Sequence, residues 1–287
     1  MKKVVVIRPN GFCGNERGFG VRRSIFLAQK TAKRFPGKTY LLGEIVHNQH
    51  LVDRLEKEYG LKTVQRLEGI PQGSMMIIRA HGADPLVYKR AEKMGLNLID
   101  ATCPLVAQVH QEVRRLINQG QKILYLASDK NHDEAIGVAG EAPRKIKLIT
   151  IKELDKIKID HPQQTVVLTQ TTLSILETKE SLKKLRQRYP GIVIKPHICL
   201  ATTKRQKAVI QAARKYGLVV VVGSPTSSNS NRLKEVAEAV GAKAFIVDKA
   251  DELDPKWFSE TKTIAVGSGA STPDWILDEV VARIRGF

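Results

Sequence analysis

The stretch Leu98-Ile99-Asp100-Ala101-Thr102-Cys103-Pro104-Leu105-Val106 constrains this chain more than any other. An apolar, strand-like run ends in Asp-Ala-Thr, and a lone cysteine follows. Then come a proline and apolar positions at helical spacing, Val106, Val109, Val113 and Leu116. Cys103 is therefore expected at a strand-to-helix turn, with Pro104 in the first turn of the helix, where its missing N–H costs nothing. A thiolate there faces the positive end of the helix dipole. The two other cysteines, Cys13 and Cys199, occupy similar settings, 90 residues before and 96 residues after Cys103. One thiol per third of the chain predicts three similar α/β units, each giving one sulfur to a shared centre.

With 287 residues the chain is long enough for two or three domains and a large core. Three widely spaced cysteines do not make a disulfide framework. They read either as three inert buried thiols or as three ligands to one metal centre. Iron–sulfur clusters use thiolates, usually four, so three would leave one iron open to a substrate. Lys and Arg exceed Asp and Glu by 18. The basic residues are spread over most predicted helices, and aromatic residues make up only 5% of the chain. Both facts argue against nucleic acid as a partner. They leave a solvated basic surface, with a focused field around a phosphate-bearing substrate as a secondary role. The longest apolar runs, such as Leu218 to Val222, fall far short of a membrane span. Met1 to Ile7 runs straight into Arg8-Pro9-Asn10 and reads as a first strand rather than a signal peptide, which places the protein in the cytoplasm.

Strand-like and helical patterns alternate to the end, which implies parallel sheets. Ligands of such sheets bind beyond the carboxyl ends of strands. The polar residues of interest fall mainly there: His47, His81, His132 with Glu134, Thr171, the cluster Ser227-Ser228-Asn229, and Ser271. Hydroxyl and amide side chains beside helix N-termini suit anions, and histidines add donors to phosphate oxygens. Taken singly, each is weak: a histidine at a turn is commonly a cap, and Glu134 alone reads equally as a solvated helix residue. The chain has no Walker-type phosphate loop, no strand-linked dinucleotide fingerprint and no C-x-x-C pair. The joint pattern carries the weight.

That pattern resembles the IspH/LytB family, the 4-hydroxy-3-methylbut-2-enyl diphosphate reductases, over essentially the whole chain. The matching stretches are Gly11-Phe12-Cys13, Val46-His47-Asn48, Ala80-His81-Gly82, Asp100 to Pro104, Asn131-His132 with Glu134, Thr169 to Thr172, Cys199 with Ala201-Thr202, Asn229 to Leu233, and Gly269 to Asp274. The resemblance implies a pseudo-threefold trefoil of three α/β domains around a central [4Fe-4S] cluster: residues 14–101, residues 102–195, and residues 1–13 with 196–287, the N-terminal strand joining the last. It implies that Cys13, Cys103 and Cys199 hold the cluster and that its fourth iron takes the substrate hydroxyl. By the same resemblance, two electrons and protons would remove that hydroxyl as water, giving isopentenyl and dimethylallyl diphosphate in the last step of the non-mevalonate isoprenoid pathway. His47, His81, His132, Ser227, Ser228, Asn229 and Ser271 would hold the diphosphate. Glu134 would deliver the proton through a relay with Thr171, assisted by His132. A ferredoxin or flavodoxin would supply electrons.

One departure stands out. The family runs from Gly-Phe-Cys almost directly into a segment like Phe19 to Ile25, whereas Gly14-Asn15-Glu16-Arg17-Gly18 is inserted here. A bulged loop after Cys13 is expected, moving the helix start away from it. Asp133 stands where the family commonly has proline, with no evident chemical consequence. Two other readings are a cluster-dependent hydro-lyase, which needs no reductant, and a basic nucleic-acid-binding protein with structural cysteines, which would bind RNA and hold no iron.

Overall fold

The structure, a computed structural model, describes residues 2–287. Its strands are short runs rich in Val, Ile and Leu, and five of the twelve among the described residues are covered on both faces along all or nearly all of their length. All five residues of Leu218–Val222 are buried, as expected for parallel strands flanked by helices on each side. The chain forms two compact units. One comprises the stretch up to Cys13, His47–Gln49 and Cys199–Phe287; the other comprises Gly14–Val46 and His50–Ile198.

From the N-terminus the first elements are β1 (Lys3–Val6), α1 (Gly20–Arg34), β2 (Thr39–Leu42), α2 (Gln49–Tyr59), β3 (Lys62–Val64), β4 (Met75–Ile78), α3 (Pro85–Lys93) and β5 (Asn97–Asp100). Strands β2 to β5 form one parallel sheet in the order β3-β2-β4-β5. Next come α4 (Pro104–Asn118), β6 (Lys122–Ala127), α5 (Asp133–Gly140), β7 (Ile146–Thr150), β8 (Thr165–Thr169), α6 (Ile175–Arg188) and β9 (Val193–Lys195). Their sheet, β7-β6-β8-β9, repeats the same topology. The chain ends with α7 (Leu200–Tyr216), β10 (Leu218–Val222), α8 (Ser228–Glu238), β11 (Lys243–Val247), β12 (Thr263–Ser268) and α9 (Asp274–Arg285).

The last sheet, β11-β10-β12-β1, shows the same plan with one substitution. In each sheet the first strand pairs with the second on one side and the third on the other, and the fourth lies beyond the third. In the last sheet the fourth place is filled by β1, paired with β12 in register Lys3↔Thr263 to Val6↔Val266. The three α/β sheets expected from the cysteine spacing are present, and the N-terminal strand completes the third.

The helices follow the sequence pattern. Helix α4 buries Val106, Val109, Val113 and Leu116, the apolar stripe that marked it. Two helices start directly at side-chain caps. Helix α7 starts at Leu200, because the Cys199 side chain caps it by accepting the Thr202 N–H. Helix α8 starts at Ser228 and takes in Asn229, because the Ser227 hydroxyl caps it.

The inserted residues form a closed loop. The Asn15 N–H donates to the Phe19 carbonyl at 3.0 Å, and the Gly18 N–H donates to Asn15 Oδ1 at 2.5 Å. Gly14 adopts φ +80°, where a Cβ would lie 1.8 Å from the Phe19 carbonyl oxygen. Helix α1 starts only at Gly20, so Cys13 does not cap a helix.

Candidate functional site

Each sheet has a point where strand order reverses, between its first and third strands, and crevices form at the carboxyl ends there. His47 follows β2 and His81 follows β4. His132 and Glu134 follow β6, and Thr171 follows β8. Ser227, Ser228 and Asn229 follow β10, and Ser271 follows β12. Every candidate side chain thus lies at a reversal point. The cysteines share a different position: each follows the fourth strand of its sheet, Cys103 after β5, Cys199 after β9 and Cys13 after β1.

The crevice of β6 and β8 holds the most developed chemistry. Glu134, in the first turn of α5, is fully buried, which overturns its reading as a solvated helix residue. Its Oε1 accepts from the Tyr125 hydroxyl at 2.9 Å and from the Thr171 N–H at 2.8 Å; its Oε2 meets the Thr171 hydroxyl at 2.7 Å. Burial pushes the Glu134 carboxyl above its ordinary value, although the Thr171 hydroxyl and N–H and the Tyr125 hydroxyl oppose the rise. Burial also pushes Tyr125 well above the usual phenol value, with Glu134 adding to the rise.

His132 caps α5, its Nδ1 accepting from the Glu134 N–H at 3.1 Å. That bond makes Nδ1 the acceptor and leaves the proton of the neutral ring on Nε2. The His81 and His132 rings meet edge to face at 5.4 Å. Asp133 has a role after all, because its carboxylate pairs with Arg79, just past β4, at 2.8 Å. Buried Gln170, absent from the candidate residues, ties the two strand ends together. Its backbone N–H donates to the Leu126 carbonyl, and its Oε1 accepts from the Ser128 N–H and hydroxyl.

In the crevice of β10 and β12, the Ser227 and Ser271 hydroxyls lie 3.4 Å apart. The Ser271 hydroxyl also meets the His47 carbonyl at 3.5 Å. Ser227 Oγ accepts from the Ser230 N–H at 3.4 Å. Asn229 is buried, its Oδ1 accepting from the Ala270 N–H at 2.9 Å.

The cysteines are half-buried thiols, with no disulfide among the described residues. Cys103 precedes Pro104 at the start of α4, as its sequence indicates, and its N–H donates to the Ala80 carbonyl at 2.9 Å. Two side chains of α1 hold the turn before it: Ser24 donates to the Ala101 carbonyl at 2.7 Å and Arg23 to the Thr102 carbonyl at 3.1 Å. Cys199 Sγ accepts from the Thr202 N–H at 3.3 Å and lies 3.1 Å from the Thr202 hydroxyl. The Cys13 N–H donates to the Ala270 carbonyl at 3.1 Å.

Arg205, one and a half turns into the helix that Cys199 caps, was not foreseen. It is 3% exposed, and its guanidinium donates to the carbonyls of Pro9 at 2.9 Å, Gly11 at 2.7 Å and Ser268 at 3.2 Å. A buried arginine among carbonyls leaves no periodic signal in a sequence.

Among the described residues no helix is long and apolar enough to cross a membrane. The family profile described as LytB protein matches residues 4–285. The chain is 41% identical over 292 residues to the 4-hydroxy-3-methylbut-2-enyl diphosphate reductase of Streptomyces coelicolor, covering all of this chain and 84% of that protein. It is 40% identical over 291 residues to the enzyme of the same name from Neisseria gonorrhoeae, covering all of this chain and 88% of that one. Among solved structures it matches the E-1-hydroxy-2-methyl-but-2-enyl-4-diphosphate reductase of Plasmodium falciparum at a TM-score of 0.91 and 34% identity, over 98% of this chain and 87% of the other. It matches a second solved reductase, described as the terminal enzyme of the non-mevalonate pathway, at a TM-score of 0.66 and 32% identity over the full length of both. Matched nearly end to end in both sequence and structure, the chain belongs to the LytB family.

Proposed function

We propose that this protein reduces 4-hydroxy-3-methylbut-2-enyl diphosphate to isopentenyl and dimethylallyl diphosphate. One observation carries the reading. Three sheets of identical topology each place one cysteine past the fourth strand and polar, anion-suited side chains at the reversal point. Three thiols in equivalent positions suit one shared metal group better than three unrelated buried sulfurs.

The donor set fits an iron–sulfur cluster. Thiolate ligands of such clusters commonly receive hydrogen bonds at sulfur, and Cys199 Sγ has both the N–H and the hydroxyl of Thr202 beside it. Cys13, Cys103 and Cys199 would hold a [4Fe-4S] cluster, which when bound supplies electron transfer and a Lewis-acid position for the substrate hydroxyl.

The chain's own residues do the rest. The net reaction breaks one C–O bond, releases water, and takes up two electrons and two protons. Glu134 holds a proton at Oε2 because burial disfavours its charged form. Oε2 passes that proton to Thr171 Oγ1, 2.7 Å away, and the Thr171 hydroxyl hands its own proton to the leaving oxygen. The Thr171 N–H and Tyr125 hydroxyl keep Oε1 as an acceptor, so the acid proton stays on Oε2. His132 offers Nε2–H to substrate oxygen. His47, His81, Ser227, Ser228, Asn229 and Ser271 bind the diphosphate, helped by the N-terminus of α8. Ser227 Oγ accepts from the Ser230 N–H, which leaves its own proton to donate. A low-potential protein such as ferredoxin or flavodoxin delivers the electrons.

The test is anaerobic reconstitution with iron and sulfide, followed by assay of the allylic diphosphate with a low-potential reductant. Brown, iron-containing protein with reductant-dependent product supports the reading. Turnover without reductant makes the protein a hydro-lyase. Failure of the chain to take up iron overturns the proposal.

A further inference from the structure

We propose that Thr202 is a positioning residue that links the anion-site amide of Asn229 to the Cys199 sulfur and raises the reduction potential of the cluster that sulfur holds. The inference rests on the reading of Cys199 as a cluster ligand.

The geometry is a continuous chain of hydrogen bonds within one unit of the fold. Asn229 Oδ1 accepts from the Ala270 N–H at 2.9 Å, which orients its amide. The other end, Nδ2, then faces Thr202 and donates to Oγ1 at 3.3 Å. Thr202 Oγ1 lies 3.1 Å from Cys199 Sγ. On the other side of the same residue, the Ala270 carbonyl accepts the Cys13 N–H at 3.1 Å. Cys199 and Asn229 thus share one hydrogen-bond chain, and Ala270, which anchors that chain, also holds the Cys13 backbone. Thr202 is 1% exposed and Asn229 is 6% exposed, so water does not compete for these bonds.

The direction of the central bond follows from the atoms. A protonated Cys199 donates its S–H to Thr202 Oγ1. A thiolate that holds metal has no proton and can only accept, so the hydroxyl must turn to donate. The Asn229 N–H already occupies a lone pair on Oγ1 and can only donate to it. It therefore leaves the hydroxyl proton the role of pointing at sulfur. A hydrogen bond to a cluster sulfur stabilises the more negative, reduced state and raises the potential. The Thr202 N–H, at 3.3 Å, acts in the same sense but belongs to the backbone and survives substitution.

The proposal is tested on the reconstituted holoenzyme by measuring the cluster's reduction potential in wild type, Thr202→Val, Thr202→Ala and Thr202→Ser. Valine keeps the shape and removes the hydroxyl; serine restores it. The expected result is about a tenfold loss in the reduction equilibrium constant for valine and alanine, about 59 mV for one electron, with serine returned to the wild-type value. Should the valine variant not load, the alanine and serine pair supplies the same contrast. Potentials unchanged in valine or alanine, or equally shifted in serine, overturn the role. Absence of a cluster from the wild-type protein is a different result and overturns the functional reading instead.

Discussion

Glu134 and Thr171 are joined at both carboxylate oxygens: the Thr171 N–H donates to Oε1 at 2.8 Å, and its hydroxyl meets Oε2 at 2.7 Å. Both residues are buried, one on α5 and the other just past β8. A carboxyl gripped in this way keeps one orientation whether neutral or charged. Burial decides the balance and holds the proton on at higher pH than for a solvated glutamate.

Glu134→Gln should keep the fold and the cluster while lowering turnover by about 10²- to 10⁴-fold, the usual contribution of a positioned acid. The glutamine oxygen accepts from Tyr125 and the Thr171 N–H, and its NH₂ meets the Thr171 hydroxyl. Anaerobic single-turnover rates check this, and near-wild-type rates would remove Glu134 from the proton path.

The same substitution changes how stability depends on pH. The Glu134 value is raised on folding, so between the ordinary carboxylate range and the folded value the native state holds a proton that the unfolded chain has released. Stability therefore falls as pH rises through that window, and the loss is absent below the ordinary range. Glu134→Gln cannot ionise and should flatten the fall. Urea midpoints of the metal-free protein at pH 5 and pH 8 measure it: the wild type should lose more than the variant between them.

Thr171→Val removes the largest influence opposing the rise of the Glu134 value. The protonated form should then persist to higher pH, moving the basic limb of the kcat profile upward. The rate itself should fall by about 10²-fold because the proposed relay hydroxyl is gone. A lowered rate with an unmoved limb would separate Thr171 from the titration of Glu134.

Arg205→Met should leave the Pro9, Gly11 and Ser268 carbonyls without their shared donor. Buried acceptors left unpaired cost roughly 1–3 kcal/mol each, so a loss of about 3 kcal/mol or more is expected in urea unfolding. Iron should also be lost to a chelator faster, since the Pro9 and Gly11 carbonyls belong to the turn that leads into Cys13. A loss under about 0.5 kcal/mol, the range of ordinary surface changes, would contradict this.

Gly14→Ala tests the inserted loop. Gly120 has nearly the same φ, +79° against +80°, but open space where its Cβ would fall, whereas the Gly14 Cβ would meet the Phe19 carbonyl. Gly120→Ala should cost only the left-handed backbone penalty of about 1–2 kcal/mol. Gly14→Ala should cost more and should impair cluster loading next to Cys13. Equal losses in thermal melts and equal iron contents would show that the loop does not support the ligand role proposed for Cys13.

Much of this molecule is legible in the chain as written. Short Val/Ile/Leu runs alternating with helical stripes specify parallel α/β sheets, because burial on both faces of a strand and on one face of a helix leaves different periods. Proline after Cys103 marks a helix start, because proline lacks only the N–H that such a position does not use. Three lone thiols at even spacing, with polar residues at strand ends, mark the candidate site in the sequence itself. What the tertiary structure alone decided depends on contacts between residues distant in the chain. Strand β1 fills the fourth place in a sheet made otherwise of residues beyond 217, and Glu134 is a fully buried acid rather than a solvated one. Arg205 grips a turn almost 200 residues away, and Thr202 stands between Cys199 and Asn229. Periodicity records which face of an element is apolar. Hydrogen-bond partners and desolvation are set by which elements come together, and a local pattern holds no record of that.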